Sequence, residues 1–463
     1  MSAPPEAGAT SRALPGWAIP AIAAAAAATQ LASFRWGAIL PDTVVQYAQV
    51  LSGRYEDWHP PVTAWAWRWI GGARFGSGPL LLLDLGLFWI GLGLFAEALR
   101  RRGHSWAALA ALGVGLWPIC FGQMAAILKD SLLAACLTAG AGIAALVLDG
   151  GRLRIGTRCA VIALLVIGGA TRFNAPLAAA PLLALMLPDR GAGWRSFATG
   201  PIAAALLLFA AAIMINGAIL RPQRQHPILS QVNFDLAGIS VQGRANAYPA
   251  GARPPMALLD SCYTPAQFNP RYRDDCGTAE DGLHALFDSR PGAVRLWLTA
   301  IARDPIAYAR HRLAHWNANQ RLAVAAVPAD AFYLTTTPND LGLGFTPSAL
   351  AKHLYGVALL LARSPLGRPA TWLAIAAGVL LLGGNGPGWA MRRALAVSAL
   401  LYGGGYLVAS VAADLRYNLW TMIAAMLAAI GAATARPYPP GRVAFSAIPV
   451  ALVVVAELAV LAS

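Results

Sequence analysis

Charge is scarce in this 463-residue chain: 12% of residues are Asp, Glu, Lys or Arg, and only two are lysines, Lys129 and Lys352. A soluble domain carries about 25%, so a water-facing globule of this length is excluded. Acids are scarcer than bases, 21 against 35, and the net charge is +14. That excess does not form the single basic stripe that nucleic acid requires. It falls in short clusters between apolar runs: Arg100-Arg101-Arg102, Arg152/Arg154/Arg158, Arg190/Arg195, Arg392-Arg393 and Arg436/Arg442. Loops that orient membrane segments carry charge in this way, and no nucleic-acid partner is expected. Strand-like alternation and internal repeats are also missing. Met1 to Pro15 shows no cleavable signal pattern, so the first apolar run is expected to stay as an anchor.

What is abundant is apolar: 57% of residues are hydrophobic and the mean hydropathy is +0.55. Apolar runs at 17–40, 78–99, 105–122, 131–148, 159–173, 174–188, 197–220, 369–384, 394–412, 417–434 and 443–462 predict about eleven membrane helices, within a range of 10–13. The fold class expected is an all-α polytopic membrane protein with interfacial helices and one mostly helical periplasmic loop domain. Its parts are an N-terminal membrane module (1–220), the loop domain (221–347) and a C-terminal membrane module (348–463). A cytoplasmic N-terminus sends every arginine cluster to the cytoplasm. The same choice gathers Asp42, His59, Lys129-Asp130, Arg172/Asn174 and Asp414-Leu415-Arg416-Tyr417 on the opposite face. Residues 348–363 are read as an interfacial helix, because a crossing there would strand Arg392-Arg393 outside. In the loop block, Pro and Gly suggest mostly loop to about residue 275. Thr278-Ala279-Glu280-Asp281 then reads as a capping box, and Asp304-Pro305 as the start of a helix ending near Gln320. The block reads as a lid or acceptor platform.

Asp42 follows the first apolar run directly. Val44, Tyr47, Ala48 and Leu51 then recur at helical spacing, so 43–52 can lie flat on a membrane surface, and His59-Pro60-Pro61 comes next. Trp58, Trp65, Trp67 and Trp69 read as interfacial anchors. Over about residues 38–66 this arrangement resembles the GT-C superfamily of membrane glycosyltransferases, in the branch of protein O-mannosyltransferases and lipid A aminoarabinose transferases. There the first extracytoplasmic loop opens with an acid and closes on a His-Pro-Pro-like motif.

The resemblance implies an enzyme of the bacterial inner membrane, with its active site facing the periplasm. It would move a sugar from a polyprenyl-phosphate donor to a lipid, glycan or protein acceptor, among membrane lipids. Asp42 would be the general base; its bland alternative is an N-cap for the helix at 43–52. Asp130 would be the second acidic site, binding acceptor, steering the base or holding a divalent cation (Mg, Mn or Zn), the one cofactor the layout admits. Lys129, Arg172 and Arg416 would hold the donor phosphate, Lys129 as a mobile point charge and the arginines as two-pronged clamps. His59, Asn174, Asp414 and Tyr417 would bind substrate or metal. Against this stand ordinary roles: an interfacial Lys129–Asp130 pair, a snorkelling Arg172, a structural turn at His59, an Asp414–Arg416 pair.

Three further features stand apart from that motif. Cys262 and Cys276 enclose a polar loop and are expected to form a disulfide in an oxidising compartment. His311 and His315 stand at i, i+4, a spacing that can chelate zinc, but no Glu follows His311 as the protease motif requires. They also keep open an O-antigen polymerase or ligase. Asp84 and Glu457 are charges within apolar runs, the feature a transporter or lipid flippase would need.

Overall fold

The computed structural model describes residues 14–148, 154–187, 194–270, 272–287, 290–324, 330–384, 388–435 and 437–461. The start to Ala13, Arg152, Arg190 and Arg436 lie outside them. Among the described residues the chain forms twenty-one α-helices and no strand, only isolated β-bridges between extended segments.

Five helices are long and apolar enough to cross a membrane, by length and composition: Gly78–Arg101, Lys129–Leu148, Thr199–Ile219, Leu415–Ala433 and Pro440–Val460. Shorter apolar helices accompany them at Ala18–Ser33, Ser105–Leu116, Ile155–Ala170, Ala175–Ala184 and Pro369–Leu382. Other expected runs fall short because they break early. Ser105–Leu116 stops where Trp117-Pro118 starts a new short helix, Pro118–Gln123. Thr199–Ile219 and Pro440–Val460 have a mean hydropathy of 2.4, yet Ile202, Leu206, Leu452, Val455 and Leu458 point outward. Such faces suit lipid and not water, as in a multi-pass membrane protein.

Small residues let the central helices meet at backbone distance. A Cβ on Gly91 would stand 2.5 Å from the Thr138 carbonyl, and one on Gly142 would stand 2.1 Å from the Gly91 oxygen. Gly78–Arg101 thereby packs directly on Lys129–Leu148, whose first residues carry Lys129 and Asp130. Asp84 is fully buried there, with neither carboxyl oxygen bonded to another described residue. Glu457, by contrast, stands 4.0 Å from Arg368 and accepts from Thr371 Oγ1 at 3.4 Å.

The two ends of the bundle differ in chemistry. At one end Arg100 donates to the Leu14 carbonyl and Arg392 to Tyr438 Oη. At the other, Asp42, Lys129, Arg172 and Arg416 converge. Ala349–Arg363 lies across this second end. The Ser348 amide donates to the Ser33 carbonyl before it, and Arg368 beyond it donates to the Arg321 carbonyl. Ser348 Oγ caps the helix at the Ala351 amide, Ala351, Ala358 and Ala362 face inward, and Leu350 and Leu360 face out.

Within 221–347, residues 228–308 build a core of their own around Val232, Phe234, Leu236, Leu259 and Leu283, whereas Ala331, Phe332 and Leu343 join the core of the bundle. Two readings of this block need correction. Its first half is not mostly loop: Ile228–Gly243 is a sixteen-residue helix. Leu229, Val232, Leu236 and Ile239 supply its buried stripe, a periodicity outweighed in the sequence by flanking Pro and Gly. Thr278 opens no capping box either. It lies inside Asp274–Leu286, bonding back to the Asp275 carbonyl. Asp304 does cap Pro305–Gln320, accepting from the Ala307 amide at 2.9 Å.

Candidate functional site

An extended strap, 37–40, brings the site's first two residues together. Ala38 exchanges backbone bonds with Ala125 and Ile127 on one side, and Ile39 with Thr335 and Thr337 on the other. Thr43 Oγ1 accepts from the Leu40 amide at 3.0 Å and donates to the Ile127 carbonyl at 2.8 Å. Gly37 makes the approach fit: at φ +90 a Cβ would fall 2.5 Å from the Ile127 side chain. The strap ends at Asp42 and its partner segment ends at Lys129.

Asp42 is not the helix cap. Pro41–Ser52 begins with Leu40 at the N-cap and Asp42 in the first turn, which leaves the carboxylate free for tertiary partners. It has three. Lys129 Nζ lies 3.3 Å from Oδ2, Arg416 Nη2 3.2 Å from the same oxygen, and His59 Nε2 3.7 Å from Oδ1. Lys129 Nζ also lies 2.9 Å from His59 Nδ1. An ammonium can only donate, so Nδ1 accepts and Nε2 carries the hydrogen facing Asp42. His59 thus bridges Lys129 and Asp42. Asp57, beside it, accepts from the Gln225 amide. Among the described residues no three His, Cys, Asp or Glu side chains converge to hold a metal ion.

Burial raises a carboxyl, but at Asp42 Lys129, Arg416 and His59 outweigh it and hold the group well below the usual carboxylate range. Burial, then the Lys129 charge, lowers the His59 imidazole to about 3, so the ring is neutral.

The second acid sits beside this group. Asp130 pairs with Arg172, which follows Ile155–Ala170 and stacks over the Tyr417 ring at 4.2 Å. Arg172 is thus fixed between a carboxylate and an aromatic face. Asn174 is buried at the start of Ala175–Ala184. Asp414 pairs with Arg416 Nε at 3.0 Å and caps the short turn Leu415–Asn418 through the Arg416 amide. Tyr333 Oη donates to both Asp414 oxygens at 2.7 Å. No sequence signal marked Tyr333, whose neighbours Thr335 and Thr337 reach the site only through the strap. The nine residues expected at the membrane face therefore meet at one end of the bundle, from five separate stretches of chain. Three acids face three basic side chains, and Arg416 Nη1 is buried without a partner among the described residues.

Other expected sites lie elsewhere. Cys262 and Cys276 form a disulfide, with Cα atoms 5.7 Å apart. His311 and His315 do not form a chelating pair. His311 is held between Tyr263 Oη (2.9 Å) and Asp235 (2.8 Å), and His315 Nδ1 by the Pro265 carbonyl (2.8 Å). Both are fully buried in the 221–347 block. Trp67 is also no membrane anchor: it is buried, donating to the Gly76 carbonyl at 2.9 Å, whereas Trp58 and Trp69 are exposed.

No protein-family model, no curated protein and no solved structure matches this chain.

Proposed function

We propose that this chain is an integral membrane glycosyltransferase that moves a sugar from a polyprenyl phosphate to a lipid, glycan or protein hydroxyl. In this reading the eleven apolar runs all cross a bacterial inner membrane, with the N-terminus cytoplasmic and the site at the periplasmic face. The observation that carries the reading is Asp42 between Lys129, Arg416 and His59 at the end of an apolar bundle, with a partnerless N–H on Arg416 beside it. A lipid-linked phosphate needs this combination: buried donors for the head and apolar helices for the tail.

The chemistry follows from those positions. The acceptor oxygen attacks the anomeric carbon, the carbon–phosphate-oxygen bond breaks, and Asp42 takes the hydroxyl proton. Lys129, Arg416 and Arg172 stabilise the phosphate that leaves, so the reading calls on no metal. A single displacement of this kind inverts the anomeric centre. As it stands Asp42 is a weak base, since three neighbours stabilise its anion. A phosphate that draws Lys129 and Arg416 toward itself leaves the carboxylate less compensated and more basic, which ties proton abstraction to an occupied donor site.

An O-antigen polymerase or ligase and a lipid transporter are the alternative readings, and Asp84, buried without a partner among the described residues, is the feature that favours the second. The histidines that suggested a polymerase or ligase are core residues, and Glu457 has partners. The test is Asp42→Asn in the purified chain, with donor binding and transfer measured separately on polyprenyl-phosphate sugars. A positioned base is worth ~10²–10⁴ in rate, so turnover should drop by that factor while donor affinity changes little. Near-normal transfer by the variant would remove Asp42 from the mechanism.

A further inference from the structure

Helix Pro305–Gln320 of the 221–347 block presents one stripe, Arg312, Trp316, Asn319 and Gln320, to the segment that carries Asp414, Arg416 and Tyr417. Arg312 Nη1 donates to the Ser410 carbonyl at 2.8 Å, and Trp316 Nε1 to the Gly403 carbonyl at 3.0 Å. Gln320 Nε2 donates to Asn418 Oδ1 at 3.1 Å, and Asn418 Nδ2 to Asn319 Oδ1 at 3.0 Å. These residues fall at i, i+4, i+7 and i+8, one face of the helix. A second grip comes from the disulfide loop: the Ala413 amide donates to the Ala266 carbonyl at 2.8 Å, and Gln267 bridges Ala412. Asp414 is the next residue and Arg416 lies two beyond it. From Gly403 to Asn418 the segment is therefore held on both flanks by the extramembrane block.

Arg312 is itself locked in place. It pairs with Asp235, which also takes the His311 imidazole at 2.8 Å and the Trp297 indole N–H at 2.7 Å. Arg312, Asp235 and His311 are all buried. A buried ionic cluster adds little net stability over apolar packing of the same shape, so stability alone does not account for it. What it does provide is a guanidinium of fixed position against the Ser410 carbonyl.

We infer that Arg312 is a positioning residue for the membrane-face site: held by Asp235, it fixes the Ser410–Ala413 segment and thereby sets Arg416 against Asp42. The inference rests on the proposed function only for what the site binds. The extramembrane block then acts as the jig that shapes the phosphate side of the site, in addition to covering it.

Two measurements on the full-length chain in detergent test this. In the first, hydrogen exchange of backbone amides is compared between wild type and Arg312→Met. Exchange across 410–417 should quicken by roughly tenfold or more, while Leu132–Ala145 in the bundle centre stays protected. Unchanged exchange at 410–417 overturns the inference, as does a variant that exchanges faster throughout. In the second, the affinity for an unglycosylated polyprenyl monophosphate is measured for Arg312→Met, Arg416→Met and the double variant. If Arg312 acts through Arg416, each single change weakens binding by roughly tenfold and the double by no more than the larger single. Losses that multiply overturn the inference. Wild type that fails to bind the lipid defeats the proposed function instead, and the exchange comparison then decides this inference by itself. Arg312→Lys, which keeps the charge but not the fork, should restore part of both signals.

Discussion

At the residue scale, the central fact is mutual dependence among buried charges. Asp130 and Arg172 are both largely sequestered, so removing one leaves the other without compensation. Arg172→Ala is therefore expected to cost roughly 3–5 kcal/mol of stability, in addition to any loss of donor binding, and Arg172→Gln with Asp130→Asn should recover much of it. Thermal unfolding of the three variants checks this, and a double variant no better than Arg172→Ala would separate the two residues. His59 makes a pH-dependent prediction. Its folded pKa of about 3 lies below the ordinary value of 6.5, so on acidification the unfolded chain takes up the proton first. Stability should then fall from about pH 7 toward about pH 4. Burial lowers His311 and takes His315 to about 3, so these residues add to the same slope. His59→Gln, able to accept from Lys129 yet unable to titrate, should show a smaller drop in Tm over that interval. An unchanged slope would assign the effect to the other two histidines. Asp42 acts in the same sense at lower pH: its depressed carboxyl favours the folded state above the usual carboxylate range, and that contribution is lost as pH falls below it.

At the element scale, short irregular pieces organise the site more than the long helices do. The strap at 37–40 joins Asp42 to Lys129, and the turn Leu415–Asn418 carries Arg416 under the Asp414 cap. The disulfide belongs to this class of device, since it closes the loop whose Ala266 and Gln267 pair with 412–413. Replacing Cys262 and Cys276 with serine should cost roughly 3 kcal/mol in the 221–347 block, as for a loop of this length. The loss is expected to appear as a separate low-temperature unfolding step with the bundle intact. A single shared transition at the wild-type temperature would show that the bridge adds nothing to that block.

At the scale of the whole molecule, the two ends carry opposite chemistry: arginine-rich turns at one, the mixed-charge site and the 221–347 block at the other. Positive charge stays cytoplasmic, so the site end is expected to face outward. A cysteine placed at Gln242, half-buried at the end of Ile228–Gly243, should react with an impermeant thiol reagent in intact spheroplasts. Reaction only after permeabilisation would invert the molecule and put the site in the cytoplasm. Because Ala349–Arg363 lies across the site end, a cysteine at Leu350 and one at Leu360 should give the same answer as each other.

Composition and periodicity determined the class of the molecule. Apolar runs and arginine clusters are local properties, legible along the chain, and they put the acids and cations of the site at matching ends of their segments. The loop disulfide was legible too, because only two cysteines share a polar stretch. The caps were less so: Asp304 behaves as its Asp-Pro signature says, while Asp42 and Thr278 sit inside helices that start earlier, since a cap and a first-turn acid look alike in sequence. Only the tertiary structure decided who pairs with whom. That Lys129 joins Asp42 and His59 while its neighbour Asp130 takes Arg172 depends on a helix turning successive side chains about 100° apart. That Tyr333 holds Asp414 and Arg312 holds Ser410 depends on contacts 81 and 98 residues apart, which close only when the bundle and the 221–347 block have folded against each other.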